Sequence, residues 1–61
     1  MDTRDFLKRA LLNGQEQVRD YQRFADSTRD EEVARVFRDF AETEALQAKK
    51  IKEILEKYGE D

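Results

Sequence analysis

The sequence predicts an all-α fold, an antiparallel two-helix hairpin that dimerises into a four-helix bundle. Three observations support this prediction. The 61 residues include no proline and only two glycines, so little interrupts a helix. Apolar residues recur at intervals of three and four along most of the chain, which is the period of a helix face. Only one short polar segment, DSTRDEE at 26–32, separates two such stretches. A chain of this length forms a single domain, residues 1–61.

The first helix is predicted over residues 3–27, beginning after Asp2 or Thr3. Its apolar seam advances by alternating steps of four and three, the spacing of helices that pack along their length. Phe24 flanks the seam. The seam residues are Leu7, Leu11, Gly14, Val18, Tyr21 and Ala25.

A turn over residues 28–30 and a second helix over 31–58 should follow. Thr28 is the expected N-cap, because Glu31 stands three residues later and could complete a capping box. Tyr58 should end the helix, with Gly59 as a left-handed cap. So short a connection requires the two helices to run antiparallel.

The second helix has a wide apolar stripe that two polar residues interrupt. The predicted seam is Val33, Phe37, Phe40, Glu44, Gln47, Ile51, Ile54 and Tyr58, and Val36, Ala41, Ala48 and Leu55 widen it. One neighbouring helix cannot cover a stripe of this width, and a monomer of 61 residues buries little surface. We therefore expect a homodimer or a higher homo-oligomer. Pairs such as Lys49 with Glu53 and Lys52 with Glu56 should support the outer face.

Composition excludes several classes of function. The chain has no Cys and no His, so disulfides, thiolate metal sites and imidazole ligands are absent, and no nucleophilic triad can form. The net charge is -3 with both signs interleaved, which argues against nucleic acid as a partner. The opening MDTRDFLKRALL resembles neither a secretory signal nor a membrane span, so we expect a cytoplasmic protein with no membrane partner.

The stretch YQRFA…DEEVARVFRDFAETEALQAKKIKEIL resembles the half-bundle of rubrerythrins and other ferritin-like proteins, from about Leu11 to Leu55. In that family each half supplies one Glu from its first helix and Glu-x-x-His from its second to a di-iron centre. Glu44 occupies the position of the second-helix Glu, but Gln47 replaces the His. The first-helix Glu would lie seven residues before Tyr21, where this chain has Gly14.

Glu16 is near Gly14 in sequence but about 200° around the helix, so it should point away. The resemblance therefore implies a ferritin-like bundle without its di-iron site, with no enzymatic activity and no cofactor. The sequence leaves two interpretations of Gly14 open. It is tolerated at a vacated ligand position, or it permits a close helix crossing or makes space beside Tyr21.

Three functions remain open at this stage. The first is a structural or protein-interaction module, in which Tyr21, Glu44 and Gln47 form a buried polar cluster. In it the Tyr21 hydroxyl donates to Glu44 of the other hairpin and fixes the register of the dimer. The second is a weak divalent-metal protein that holds iron or manganese with Glu44 from each subunit and a displaced Glu16. The third is an acidic adaptor whose apolar stripe docks the helices of a partner.

Overall fold

The computed structural model describes residues 2–58, which form two helices and no strand. Helix α1 spans Thr3–Ser27 and helix α2 spans Glu31–Lys57. Phe24 near the end of α1 contacts Phe37 near the start of α2, and Gly14 faces Ala48 further along, so the helices run antiparallel. The predicted all-helical hairpin is confirmed. It is a rod of 45 × 17 × 15 Å.

Side-chain caps define where the helices begin, and the predicted cap of α2 is wrong. Asp2 caps α1 by accepting from the Asp5 amide at 2.8 Å. The cap of α2 is Asp30 and not Thr28. The Asp30 carboxylate accepts from the amides of Glu32 and Val33, at 3.0 and 3.1 Å.

The predicted capping box does not form because the backbone amide of Thr28 is already hydrogen-bonded within α1. Its amide donates to the Phe24 carbonyl at 3.1 Å and so terminates α1. Its hydroxyl accepts from the Asp30 amide at 3.1 Å, which tightens the turn. At the far end of α2 the Tyr58 amide donates to the carbonyls of Ile54 and Leu55. The cap predicted at Gly59 lies outside the described residues.

Small residues line the contact between the helices. The buried positions are Gly14, Ala25, Ala34, Ala41 and Ala48. On α2 the three alanines are seven residues apart, so they lie on one face and let the α1 backbone approach closely. In the described residues no large side chain is fully buried. One hairpin therefore has a narrow core.

The seam of α2 that faces α1 is rotated from the predicted one. It consists of residues 34, 37, 41, 44, 48, 51 and 55, all buried or half-buried. Val33, Phe40, Gln47 and Tyr58, which were predicted to lie in the seam, are exposed. Steps of three and four residues fit both the predicted seam and the observed one. The seam that contains the alanines faces α1 because small side chains allow the closer contact between the helices.

Candidate functional site: an exposed aromatic face around Glu44

One side of the hairpin exposes large apolar side chains, and we call it the open face. On α2 its members lie within about 60° of one another at 100° per residue. Its two members on α1 are eighteen residues apart, about five full turns, and so share one direction. The open face comprises Phe6, Phe24, Val33, Val36, Phe40 and Tyr58, each between 37% and 65% exposed.

Aromatic contacts show that the two helices present this face on the same side. The Tyr21 ring lies 5.7 Å from Phe37 and 5.6 Å from Phe40. Phe37 also lies 5.6 Å from Phe24 and from Phe40 in edge-to-face contacts. Such pairs contribute about 0.5 to 1.5 kcal/mol each beyond burial. The four rings join α1 to α2 near the turn, while Phe24 and Phe40 remain about half exposed.

Glu44 is half-buried between the helices, opposite Gly14. A Cβ built on Gly14 would lie 3.6 Å from the Glu44 Oε2 atom and 3.6 Å from the Ala48 Cβ. These are ordinary van der Waals distances, so the helices do not require a glycine there. The geometry therefore agrees with a tolerated glycine, since the contact between the helices would also accommodate an alanine at this position. Glu16 is exposed.

The other two members of the predicted polar cluster are arranged differently. The Tyr21 hydroxyl accepts from Gln17 Nε2 at 2.9 Å. Sequence reasoning did not single out Gln17, although its position one turn before Tyr21 was a usable signal. Gln47 is exposed in the single hairpin, so its predicted burial requires a second copy.

Within residues 2–58 of one chain, Tyr21 makes no hydrogen bond to Glu44. The predicted bond between two subunits stays a prediction. A phenol both donates and accepts, and here Gln17 uses one acceptor site. The hydroxyl proton can therefore still be donated to a carboxylate of another chain.

Glu44 stands at the centre of the hairpin. It is thirteen residues from either end of α2, Glu31–Lys57. This position has a geometric consequence for pairing of two copies. When two hairpins overlap along their full length, a two-fold axis along or across the helices places their midpoints at the same height. The two Glu44 side chains would then lie at the same level of the bundle.

Among residues 2–58, no three His, Cys, Asp or Glu side chains are grouped closely enough to hold a metal ion. Neither α1 nor α2 contains an apolar stretch of the length that a bilayer crossing requires. Comparison of the chain with protein-family models, curated proteins and solved structures finds no match. The ferritin-like resemblance therefore stays a prediction that rests on the residues quoted above.

Proposed function

We propose that this protein is a structural or protein-interaction module that works as a homodimer, with the open faces of two hairpins packed into a four-helix bundle. The bundle is of the ferritin-like form without a di-iron centre. In this proposal the bundle has no enzymatic role. The polar residues at its centre specify how the two copies align.

The excess surface of the single hairpin carries this proposal. The chain exposes 4992 Å². A compact monomer of 7.3 kDa would expose about 4,200 Å². The difference of about 800 Å² equals one side of a standard protein interface. The radius of gyration, 14.0 Å, also exceeds the value of about 10.5 Å expected for a compact domain of this length.

The chemistry of the open face also suits a second copy. Its exposed residues are aromatic or β-branched, and aromatic residues are enriched in the cores of interfaces. A two-fold axis makes the same patch serve both partners, so no complementary protein is required. Burial of this face would complete the core that the alanine seam leaves narrow.

Glu44 and its neighbours account for the polar centre of such an interface. A buried carboxylate is costly unless it accepts hydrogen bonds. The Tyr21 hydroxyl and the amides of Gln17 and Gln47 supply donors from both copies. Any shift of one hairpin along the other would separate the carboxylates from these donors, so the cluster favours one register.

Light scattering coupled to size exclusion tests the proposal. We expect a mass of about 14.6 kDa, twice the 7.3 kDa of one chain. Phe40→Asp and Val36→Asp should each shift the mass toward the monomer, because each places a charge on the open face. Leu46→Asp is the matched control. Leu46 is also exposed on α2 but lies about 120° around the helix from Phe40, away from the open face.

Circular dichroism establishes that each variant remains helical. A wild-type protein that is monomeric at all concentrations would refute the proposal. So would an equal effect of Leu46→Asp and Val36→Asp, since the position of the charge would then not matter.

The central position of Glu44 supports an alternative function, weak binding of a divalent cation by two Glu44 carboxylates in the dimer. Native mass spectrometry after anaerobic incubation with ferrous iron or manganese decides between the two. Our proposal predicts a dimer without bound metal. Stoichiometric metal that Glu44→Ala abolishes would favour the alternative, because hard cations accept oxygen ligands alone.

A further inference from the structure

The flank of the hairpin away from the open face carries a groove between α1 and α2, toward the chain ends. Its cationic side chains come from both helices. We call this the basic groove, and among residues 2–58 the charged side chains that line it include Lys8, Arg19, Lys49, Lys52 and Glu56. These four cations and one carboxylate carry a formal charge of +3, in a chain whose net charge is -3.

Two of the cations on α2 lack the ion pairs that the sequence suggested. In the described part of the chain, neither Lys49 with Glu53 nor Lys52 with Glu56 forms an ion pair, whereas Arg23 and Asp20 do, at 2.6 Å. Unneutralised charge raises the positive potential along the groove.

Below the cations the groove has an apolar floor. Leu11 and Val18 contribute half-buried side chains from α1, and Ala45 and Ala48 contribute small ones from α2. Small residues on α2 keep the floor accessible between the long basic side chains. The combination fits a segment with one apolar stripe flanked by carboxylates.

We propose that the basic groove binds an acidic amphipathic helix of a partner protein. From Lys8 to Arg19 the groove follows eleven residues of α1, or about 16 Å, which matches about three turns of a docked helix. The apolar stripe of the partner helix packs on the apolar floor of the groove. Its Asp or Glu side chains reach the cations of α1 on one side and those of α2 on the other.

Two other polyanions fit less well. Single-stranded nucleic acid requires aromatic platforms for its bases, and among residues 2–58 those that line the groove include none. An extended anionic surface would also face the acidic remainder of the chain, which carries -6 once the +3 of these groove residues is removed from the total of -3. A short acidic segment avoids that repulsion.

This inference goes beyond the proposed dimer and does not depend on it. On α2, Lys49 lies about 180° and Lys52 about 120° from Phe40 of the open face. A dimer formed through the open face would leave two basic grooves exposed, so each bundle would bind two partner segments.

Fluorescence anisotropy provides the test. The probe is a fluorescein-labelled peptide of about four helical turns, with leucines spaced three and four apart and flanked by glutamates. We expect saturable binding that weakens as NaCl is raised. Lys49→Glu with Lys52→Glu should weaken it roughly tenfold or more. Lys50→Glu with Lys57→Glu makes the same charge change on the outer face of α2 and should leave the affinity within about twofold.

A second pair, Lys8→Glu with Arg19→Glu, probes the α1 rim and decides the matter if the first pair is not helical by circular dichroism. The proposal is overturned if the wild-type protein does not bind the peptide, or if both α2 pairs weaken binding equally. It is also overturned if a peptide with glutamine in place of glutamate binds as well. Tighter binding of an oligothymidine or of phosphatidylserine vesicles would overturn it in favour of those partners. Light scattering on the same samples reports the dimer separately.

Discussion

Gly14→Ala should stabilise the protein, and the structure allows the size of the effect to be worked out. A glycine inside a helix costs about 1 kcal/mol relative to alanine. The added methyl would meet Ala48 Cβ and Glu44 Oε2 at 3.6 Å, so it fits without displacing either atom. Methyl burial adds up to about 0.8 kcal/mol, partly offset because one neighbour is a carboxylate. We expect a net gain of about 1 kcal/mol, or about 4 to 8 °C in Tm.

Urea unfolding followed by circular dichroism measures this gain, at one fixed protein concentration because dimerisation would contribute to stability. Gly14→Val is the matched variant. Its additional methyls would extend past the 3.6 Å contacts and overpack the seam, so it should be less stable than Gly14→Ala. A Gly14→Ala protein that is less stable than wild type would refute this reasoning and would show that the glycine has a packing role.

Three further substitutions test the local contacts. Asp30→Ala should cost about 1 kcal/mol in urea unfolding because two amides lose their cap, and a larger loss for Thr28→Ala would contradict this assignment. Tyr21→Phe should cost about 0.5 to 1.5 kcal/mol through the lost bond from Gln17, and an unchanged midpoint would mean that this bond contributes nothing. Ala41→Leu should cost about 1 to 3 kcal/mol by overpacking the seam, and a stabilised protein would disprove the close contact there.

The helices were predictable because their apolar periodicity is long and uninterrupted, but the cap of α2 was not. Thr28 and Asp30 are both good N-caps, and both precede an acidic residue. Which of the two residues caps α2 depends on whether the Thr28 amide is already hydrogen-bonded within α1. It is, because it donates to the Phe24 carbonyl. A pattern within one helix does not contain that information.

The rotated seam has a similar cause. A stripe as wide as that of α2 is compatible with two seams that are offset by one residue. The seam with the larger side chains was the one predicted. Ala34, Ala41 and Ala48 at intervals of seven were the available signal, because small residues mark a close contact between helices. Large residues of the other seam, such as Val33 and Phe40, are then left exposed in the single hairpin.

The candidate site was predictable in part. Gly14 and Glu44 lie opposite each other, and both are on the seams that the sequence predicted for their helices. The bond from Gln17 to Tyr21 was missed because the resemblance favoured Glu44 as the partner of the Tyr21 hydroxyl, although the spacing of four residues on α1 also indicated Gln17. The basic groove was missed because its cations are interleaved with acids along the chain and converge only when α1 and α2 pack together.

Cross-linking of single cysteines tests dimerisation through the open face most directly, since the chain has no Cys of its own. Gln47→Cys places a thiol on the open face near the midpoint, and Leu46→Cys places one on the next residue but away from that face. With copper phenanthroline as the oxidant at low protein concentration, we predict rapid formation of a disulfide-linked dimer from Gln47→Cys and little from Leu46→Cys. Equal rates for the two variants, or faster cross-linking of Leu46→Cys, would contradict the proposed dimer.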